Sequence, residues 1–293
     1  MPKVSICIPT YNRKHYLKET LDSVFAQTYR DYEVVVIDDG STDGTEQMLK
    51  ECNYPVRYHW WENRGEPAAR NKLAELAQGE YLTFLDSDDL LFPYAVEELV
   101  NTVESGGPQI VAYGSYVSID ENGGLVRRKH RKLPSGYITG DLFQYIYVHS
   151  CGTMCTKKLL EEGGYFDTSL PVCSPYALWL NLSLRHKFMA VEKPLFKRRR
   201  HLGNLSVNSF ANRVIELNVL EKFFHEHLES NGHGVISHRD AMKRLSKEGY
   251  RAARCAIGGG INNHTAARLL SESFRRYSNC KSLLWWLIAK YMS

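Results

Sequence analysis

The feature that most constrains this 293-residue chain is a regular alternation of short apolar runs and amphipathic segments through residues 1–116. The apolar runs have the length of buried strands, and the segments between them place apolar residues at helical spacing. Strands that alternate with helices form a mostly parallel sheet with right-handed crossovers. We therefore predict an α/β fold in which helices flank a mostly parallel central sheet.

Five strands and four helices are predicted in this part of the chain. The strands are Val4–Ile8, Glu33–Ile37, Val56–Trp61, Tyr81–Leu85 and Gln109–Tyr116. The helices run from about Lys14 to Gln27, from Ser41 to Glu51, from Pro67 to Gly79, and from Pro93 through Val103. Residues 117–206 show a mixed pattern, and the pattern is helical beyond residue 208. We expect a domain over residues 1–206 and an α-helical C-terminal extension over residues 207–293.

Polar clusters follow three of the predicted strands. They are Thr10–Arg13, Asp38–Asp43 and Asp86–Asp89. In open parallel sheets, ligands bind at the carboxyl ends of the strands. The three clusters therefore predict one binding site at that edge of the sheet.

The third cluster has the pattern of a metal site. Asp86 and Asp88 are two residues apart after a strand, so their side chains point the same way. Carboxylates of this kind suit Mg²⁺ or Mn²⁺ bound together with substrate phosphates. An acidic turn by itself is usually a solvated loop, but the polar ends of the other strands favour the metal site here.

Two further positions suggest contacts with a nucleotide. Asp39 could accept hydrogen bonds from a base or a ribose. The alternative is that it caps the following helix, although Asp43 can fill that role. Arg70, on the third predicted helix, could reach a phosphate or a base edge.

Four segments together resemble the motifs of family 2 glycosyltransferases, which are inverting enzymes of the GT-A fold. The segments are Val4–Arg13, Val36–Asp43, Asn63–Asn71 and Phe84–Asp89, in that order. The resemblance covers about residues 3–206, and it adds the later segment Arg199-Arg200-His201. Read alone, the basic run Lys197–Arg200 is more typical of a solvated surface.

The resemblance implies a site for a nucleoside diphosphate sugar. Thr10 and Tyr11 would line the nucleoside pocket, Asp39 would contact the base, and Asp86 would lie near the ribose. Asp88 would bind Mn²⁺ or Mg²⁺, and His201 would meet the metal or the diphosphate. The full expected donor site is Pro9, Thr10, Tyr11, Asn12, Arg13, Asp39, Arg70, Asp86, Ser87 and His201.

The sequence departs from the family at the expected general base. Similar family members carry Glu-Asp before an aromatic residue and Leu-Trp-Leu, whereas this chain has Ser174-Pro175. An inverting displacement needs a group that takes the proton of the attacking hydroxyl. The substitute could be Asp167, His149, Asp89 or a group of the substrate.

We therefore expect a metal-dependent transferase that moves a sugar, with UDP favoured as the nucleotide, to a hydroxyl of a glycan or lipid-linked acceptor. The alternative is a catalytically impaired protein that binds a nucleotide-sugar, because of Ser174-Pro175. A nucleotidyltransferase would need a glycine-rich, basic loop after the first strand. A dinucleotide oxidoreductase would need G-x-G-x-x-G there, and neither pattern is present.

The C-terminal part of the chain has a different charge from the rest. It carries 17 Lys and Arg against 7 Asp and Glu from Phe196 onward, although the whole chain has a formal charge of only +4. The aromatic, apolar segment Ser282–Tyr291 follows basic helices, a combination typical of membrane surfaces. An equal alternative is packing on the core or on a second subunit. We expect a cytoplasmic protein, with possible peripheral contact at the inner face of the membrane and no nucleic-acid partner.

Overall fold

The computed structural model describes residues 1–127, 132–201, 203–204, 209–229, 235–258 and 263–277. Contacts within the chain group it into two compact units. The first unit is Met1–Ile138 with Tyr147–His201, and the second is Thr139–Ile146 with Leu202–Ser293. Residues 139–146 thus group with the C-terminal helices, whereas the division at residue 206 that the sequence suggests places them in the N-terminal domain. That domain division stays a proposal.

The first unit contains a sheet of nine strands among the described residues. They are β1 (Val4–Thr10), β2 (Tyr32–Asp38), β3 (Val56–Trp60), β4 (Tyr81–Phe84), β5 (Leu90–Leu91), β6 (Ile110–Ile119), β7 (Leu125–Arg127), β8 (Thr153–Thr156) and β9 (Lys187–Arg199). Their order across the sheet is β3-β2-β1-β4-β8-β6-β9-β5, and β7 pairs with β6. All five predicted strands are present, within two or three residues of the expected bounds.

The sheet has a parallel half and a mixed half. The strands β3, β2, β1 and β4 are parallel neighbours. The strand β8 then runs antiparallel between β4 and β6, and β9 is parallel to β6. Because β5 and β7 are also antiparallel to their partners, six of the nine strands share one direction. The predicted α/β class with a mostly parallel sheet is confirmed.

Ten α-helices are described. They are α1 (Lys14–Phe25), α2 (Thr45–Cys52), α3 (Glu66–Leu76), α4 (Ala95–Gly106), α5 (Thr139–Gln144), α6 (Lys157–Glu162), α7 (Ser174–Ser183), α8 (Phe210–Phe223), α9 (His238–Gly258) and α10 (Asn263–Arg276). The predicted inward face of α1 is confirmed, because Leu17, Leu21 and Val24 are fully buried. Gly79, between α3 and β4, allows a close approach that a side chain would prevent, since a Cβ there would lie 2.5 Å from the Ser5 amide nitrogen.

The second unit is helical, as predicted for residues beyond 208. The helix α8 continues into a π-helical turn at Phe224–Leu228 and packs on α9, which packs on α10. Inside this unit the buried Arg244 contacts the buried carboxylates of Glu216 and Glu248. Among the described residues, no helix is long and apolar enough to cross a bilayer. The segment Ser282–Tyr291 lies outside the described residues.

Candidate active site

The turn after β1 lies against the turn after β2. Thr10 is paired with Asp38 in the sheet, so these two strands end at the same level. Asn12 has a positive φ of 49°. Its amide donates to the Ser41 hydroxyl at 2.8 Å, and its side-chain oxygen accepts from the Thr42 amide at 2.9 Å. The Thr10 hydroxyl is buried without a hydrogen-bond partner among the described residues, which leaves a polar group open to a ligand.

The turn after β2 uses its first and last acids to hold the backbone. One oxygen of the buried Asp38 accepts from the Ser41 amide at 2.7 Å, and the other accepts from the Tyr58 hydroxyl at 2.8 Å. Asp43 accepts from the Lys14 amide at 2.9 Å, which caps the first turn of α1. It also accepts from the Thr45 amide at the start of α2. These acids therefore shape the turn.

Asp39 lies between them, and three donors from the following loop surround it. One carboxylate oxygen accepts from the Trp61 indole at 2.7 Å and from the Arg64 amide at 2.8 Å. The other accepts from the amide of Gly65 at 2.9 Å, where a φ of 88° turns the chain into α3. Asp39 is only 4% exposed. Asp39 therefore holds loop 61–65 in place, and its contact with the base of a nucleotide stays a prediction.

Arg70 connects α3 to the turn after β4. Its guanidinium lies between the carboxylates of Glu66 and Asp86 and contacts both. Burial by itself would lower the pKa of Arg70, but the negative charges of Glu66 and Asp86 outweigh this effect and raise the pKa above its usual value. Because Arg70 is almost fully buried, it holds the half-exposed Asp86 in a fixed orientation.

Asp88 and His201 meet although they are 113 residues apart. The Asp88 Oδ2 and His201 Nε2 atoms are 2.9 Å apart, and Arg13 Nε is 3.9 Å from the same oxygen. The His201 ring stacks on Tyr16, with 4.8 Å between ring centres. Burial, and then the nearby charge of Asp86, raise the pKa of Asp88. The structure thus brings together three residues of the predicted site.

Arg199 holds the turn that carries Asp88. Its Nε donates to the Asp88 carbonyl at 3.0 Å, and its backbone amide donates to Asp89 Oδ1 at 2.9 Å. The other guanidinium nitrogens donate to the Glu121 carbonyl at 2.8 Å and to Glu19 at 2.6 Å. Arg199 is only 1% exposed, so the solvated basic surface that the run Lys197–Arg200 suggests by itself is wrong for this residue.

A second acidic group lies beneath the turn. Ligand atoms of Asp86, Asp89 and Cys151 lie within 4.8 Å of one another, the one such group of three in the described part of the chain. Cys151 Sγ accepts from the Asp86 amide at 3.1 Å, and burial raises its pKa well above the usual value. Asp89 is buried and its Oδ1 is already bound to Arg199. A protonated thiol is a poor ligand for Mg²⁺ or Mn²⁺, so this group suits those ions less well than Asp88 and His201.

Comparison with known proteins identifies the family. The sequence profile of the family described as Glycosyl transferase family 2 matches residues 5–164, which is more than half of the chain. The chain belongs to glycosyltransferase family 2.

Two relatives show how the chain compares with other members. An uncharacterised glycosyltransferase of Rickettsia felis is 34% identical over 77% of this chain, but the match spans only 38% of that protein. The glucosyltransferase WfaP of Escherichia coli is 29% identical over 75% of this chain and 86% of its own length. Its full name is UDP-Glc:alpha-D-GlcNAc-diphosphoundecaprenol beta-1,3-glucosyltransferase.

Solved structures confirm the GT-A-like fold of this family 2 glycosyltransferase. The complex of S. aureus TarS (residues 1–349) with UDP-GlcNAc matches 94% of this chain and 89% of that one, with a TM-score of 0.63 and 18% identity. The mannosyltransferase PcManGT of Pyrobaculum calidifontis, in complex with GDP-Man and Mn²⁺, matches 99% and 85%, with a TM-score of 0.58 and 19% identity.

Two of the candidate bases, His149 and Asp167, have different surroundings. His149 packs edge-on against the ring of Tyr116, with 5.0 Å between ring centres. Burial lowers the pKa of His149 to about 3, so it is neutral at pH 7 but a weak proton acceptor. Asp167 is exposed, and one of its oxygens accepts from the amide and hydroxyl of Ser169.

The departure at Ser174-Pro175 falls at the start of α7. Pro175 lies in the first helical turn, where its missing amide proton costs nothing, and the preceding Cys173 has a φ of 65°. Ser174 is buried, and its hydroxyl has no hydrogen-bond partner among the described residues. The start of α7 therefore supplies no carboxylate.

The spacing of Asp88 and His201 fits a divalent metal. Two adjacent ligands of an octahedral ion with bond lengths near 2.1 Å are about 3.0 Å apart. The observed 2.9 Å between Oδ2 and Nε2 matches this edge. The same two groups could therefore bind one ion in place of the hydrogen bond they share.

Three residues that hold this site are not among the residues of the predicted donor site. They are Arg199, Tyr16 and Glu66, which contact Asp88, His201 and Arg70 respectively. Arg199 is the last residue of β9 and is buried, whereas Arg200 follows the strand and is exposed. That difference can be predicted only when the strand and its end are recognised. Of the predicted donor-site residues, Pro9 and Ser87 are buried, and Tyr11, in the turn after β1, is 48% exposed.

Proposed function

We propose that this protein is a metal-dependent inverting glycosyltransferase that takes its sugar from a nucleoside diphosphate sugar. The observation that carries the proposal is the contact of Asp88 with His201, at the sheet edge where Arg70 orients Asp86. Residues from two halves of the sheet meet there although nothing in their local sequences requires it. Such a gathering of charged groups at strand ends is typical of a binding site.

The donor we propose is a UDP-sugar. WfaP is named for UDP-Glc, and TarS has been crystallised with UDP-GlcNAc. In this chain the buried, unpartnered hydroxyl of Thr10 and the exposed ring of Tyr11 provide a polar and an aromatic contact for a nucleoside. Asn12 and Arg13 continue the same turn toward Asp88.

Asp88 and His201 would hold the divalent ion, Mn²⁺ or Mg²⁺. When bound, the ion would act as a Lewis acid and neutralise the charge that develops on the departing diphosphate. Neighbouring side chains hold these two ligands in position before the ion binds. Tyr16 holds the His201 ring by stacking, and Arg199 holds the backbone of Asp88. This ordering lowers the cost of gathering the ligands.

Asp167 is our proposed general base. Its carboxylate is exposed, whereas Asp89 is buried and bound to Arg199. His149 is less suited because its lowered pKa makes it a poor proton acceptor. The attacking hydroxyl would give its proton to Asp167 as the sugar is transferred with inversion.

The acceptor we propose is a hydroxyl of a glycan or of a lipid-linked sugar, on the cytoplasmic side of a membrane. The name of WfaP specifies a sugar on diphosphoundecaprenol as its acceptor. We assign no nucleic-acid partner.

The decisive experiment measures nucleotide binding and release with the purified protein. UDP-Glc, UDP-GlcNAc and GDP-Man are each tested by thermal shift and by release of the diphosphate, with Mn²⁺, with Mg²⁺ and with EDTA. We expect stabilisation by a UDP-sugar with metal, and slow release of UDP. Asp167→Asn should retain binding and lose about 10²- to 10⁴-fold in rate. Glu161→Gln, which changes another exposed acid, serves as its control. Absence of metal-dependent nucleotide binding would contradict the proposal.

One observation favours a second candidate, a protein that binds a nucleotide-sugar without transferring it. The start of α7 offers a buried serine and a proline where related enzymes carry acids. This candidate predicts metal-dependent binding of the UDP-sugar with no release of UDP above the EDTA blank. It also predicts that Asp167→Asn behaves like the wild-type protein.

A further inference from the structure

One face of α9 carries a continuous row of basic side chains. Its exposed positions include Arg239, Lys243, Lys247, Arg251 and Arg254, which we call the α9 basic stripe. At 100° per residue these five positions lie within an arc of about 120°. They extend over roughly 22 Å of helix, because each residue rises about 1.5 Å. The stripe is therefore a surface of one sign.

The charges on the two faces of α9 are arranged differently. On the inner face, the buried Arg244 contacts Glu216 and Glu248. Within the arc of the stripe the exposed acid is Asp240, which bonds to Ser237 at the start of the helix. Arg251 also reaches Glu248, at 2.8 Å. The outer face thus keeps a net positive charge.

Exposed apolar side chains lie beside the stripe in the same unit. Tyr145 and Ile146 follow α5 and are 41% and 37% exposed. The Lys247 ammonium lies 5.5 Å from the centre of the Tyr145 ring. The side chain of Gln144 donates to the Asp240 carbonyl at 3.0 Å, which ties the end of α5 to the start of α9. Cationic and apolar groups are therefore held side by side.

We propose that the α9 basic stripe, with Tyr145 and Ile146, docks on an anionic phospholipid surface. Lysine and arginine are attracted to acidic headgroups, and adjacent aromatic and aliphatic side chains enter the headgroup boundary. A nucleic-acid backbone would satisfy the charges but would leave Tyr145 and Ile146 in water. The proposal gives a surface to the peripheral membrane contact that the sequence predicts, and it does not depend on catalysis.

Vesicle flotation with the full chain tests the proposal. Vesicles of phosphatidylcholine are compared with vesicles that contain 30% phosphatidylglycerol, at low and high salt. We expect binding to the anionic vesicles that falls with salt. Lys243→Glu with Lys247→Glu should weaken it by about thirtyfold or more. The matched control is Lys50→Glu with Lys158→Glu, which reverses two exposed charges in the first unit and should leave binding unchanged.

Two further variants keep the outcome interpretable. Lys243→Gln with Lys247→Gln makes a milder change and should weaken binding less, while circular dichroism confirms that both stripe variants fold. Tyr145→Ser should weaken binding without changing its salt dependence. Release of UDP from a UDP-sugar, measured without vesicles, should be the same in all of these variants, so a failure of the proposed enzyme would be seen separately.

Three results would overturn the proposal. The first is equal binding of both vesicle types, or of neither, by the wild-type protein. The second is unchanged binding of anionic vesicles by the stripe variants, which would place the lipid contact elsewhere. The third is tighter binding to a 20-base-pair DNA duplex than to anionic vesicles, which would favour a nucleic-acid surface.

Discussion

The two acidic turns that flank β1 look alike in the sequence and differ in the structure. In the turn after β2, Asp38 and Asp39 are buried, and their oxygens accept from hydroxyl, indole and amide groups of the same turn, of β3 and of loop 61–65. In the turn after β4, the side chain of Asp86 is 40% exposed and that of Asp88 is 15% exposed. Their partners are the charged or titratable side chains of Arg70, Arg13 and His201.

The difference indicates that the acids after β2 hold the loops of the site in place, whereas the acids after β4 can bind its ligands. Three of the five donors to Asp38 and Asp39 are backbone amides, which the fold fixes, so these acids hold the loops in place and have little capacity left for a ligand. Side-chain partners can exchange, so the acids after β4 can bind a cation without unfolding their surroundings. We therefore expect substitutions after β2 to change stability, and substitutions after β4 to change metal binding and activity.

Among changes that test the two turns, Asp88→Ala should have the largest effect. This change removes one of the two proposed metal ligands, and we expect metal-dependent release of UDP to fall by about 10³-fold. The measurement is UDP release with saturating Mn²⁺. The control is Asp31→Asn, which changes an exposed acid that is distant from Asp88 in the sequence. Full activity of Asp88→Ala would remove the distinction between the two turns.

Asp39→Ala should cost about 3 kcal/mol of unfolding free energy. It leaves three donors of loop 61–65 without their acceptor, and such losses at a charged acceptor are among the larger hydrogen-bond effects. Urea unfolding measures the change, and isothermal titration with Mn²⁺ measures metal affinity. A variant that keeps its stability but loses its metal affinity would reverse the roles assigned to the turns.

Arg199→Lys should weaken metal binding by roughly 10- to 100-fold, the usual range for partners that orient a ligand. A single ammonium cannot replace the contacts of the guanidinium with Asp88, Glu121 and Glu19. The control is Arg200→Lys, because Arg200 is the exposed neighbour in the same basic run. If the two variants have the same Kd for Mn²⁺, Arg199 does not position the site.

The smallest effect should come from Tyr58→Phe, at about 1 kcal/mol. Burial, and then the hydrogen bond to Asp38, raise the pKa of Tyr58, so the phenol stays protonated and donates. Thermal unfolding of Tyr58→Phe is compared with that of Tyr54→Phe, whose hydroxyl contacts the exposed Asp22. We expect the second variant to differ from wild type by less than about 0.5 kcal/mol.

Local pattern predicts the parallel half of the sheet well. The strands β1, β2 and β4 are short, mostly apolar runs, and the helices between them have their own periodicity, so these elements are visible in their own residues. The mixed half is harder to predict. The strand β8 has four residues and joins β4 to β6 through pairings about 70 and 40 residues apart. Those pairings depend on the assembled fold and leave no local period.

The same reasoning applies to the site. The positions of Thr10, Asp86 and Asp88 follow from the rule that parallel strands end at one edge. The three hydrogen bonds that occupy the Asp39 carboxylate could not be predicted, because their donors come from a loop whose path is set by Gly65. Nor could the burial of Arg199, since a run of four basic residues suggests solvent until the strand that contains it is known.

The short strand β8 has a consequence for how far the chain tolerates change. Because β8 pairs with β4 on one side and with β6 on the other, its register fixes the position of the C-terminal strands, along the strand direction, relative to the N-terminal strands. A slip of one residue in these pairings would move a strand by about 3.3 Å and turn its side chains to the opposite face. That shift exceeds the 2.9 Å between Asp88 and His201. Insertions or deletions at 153–156 should therefore abolish metal binding by separating Asp88 from His201, although no residue of the site itself is changed.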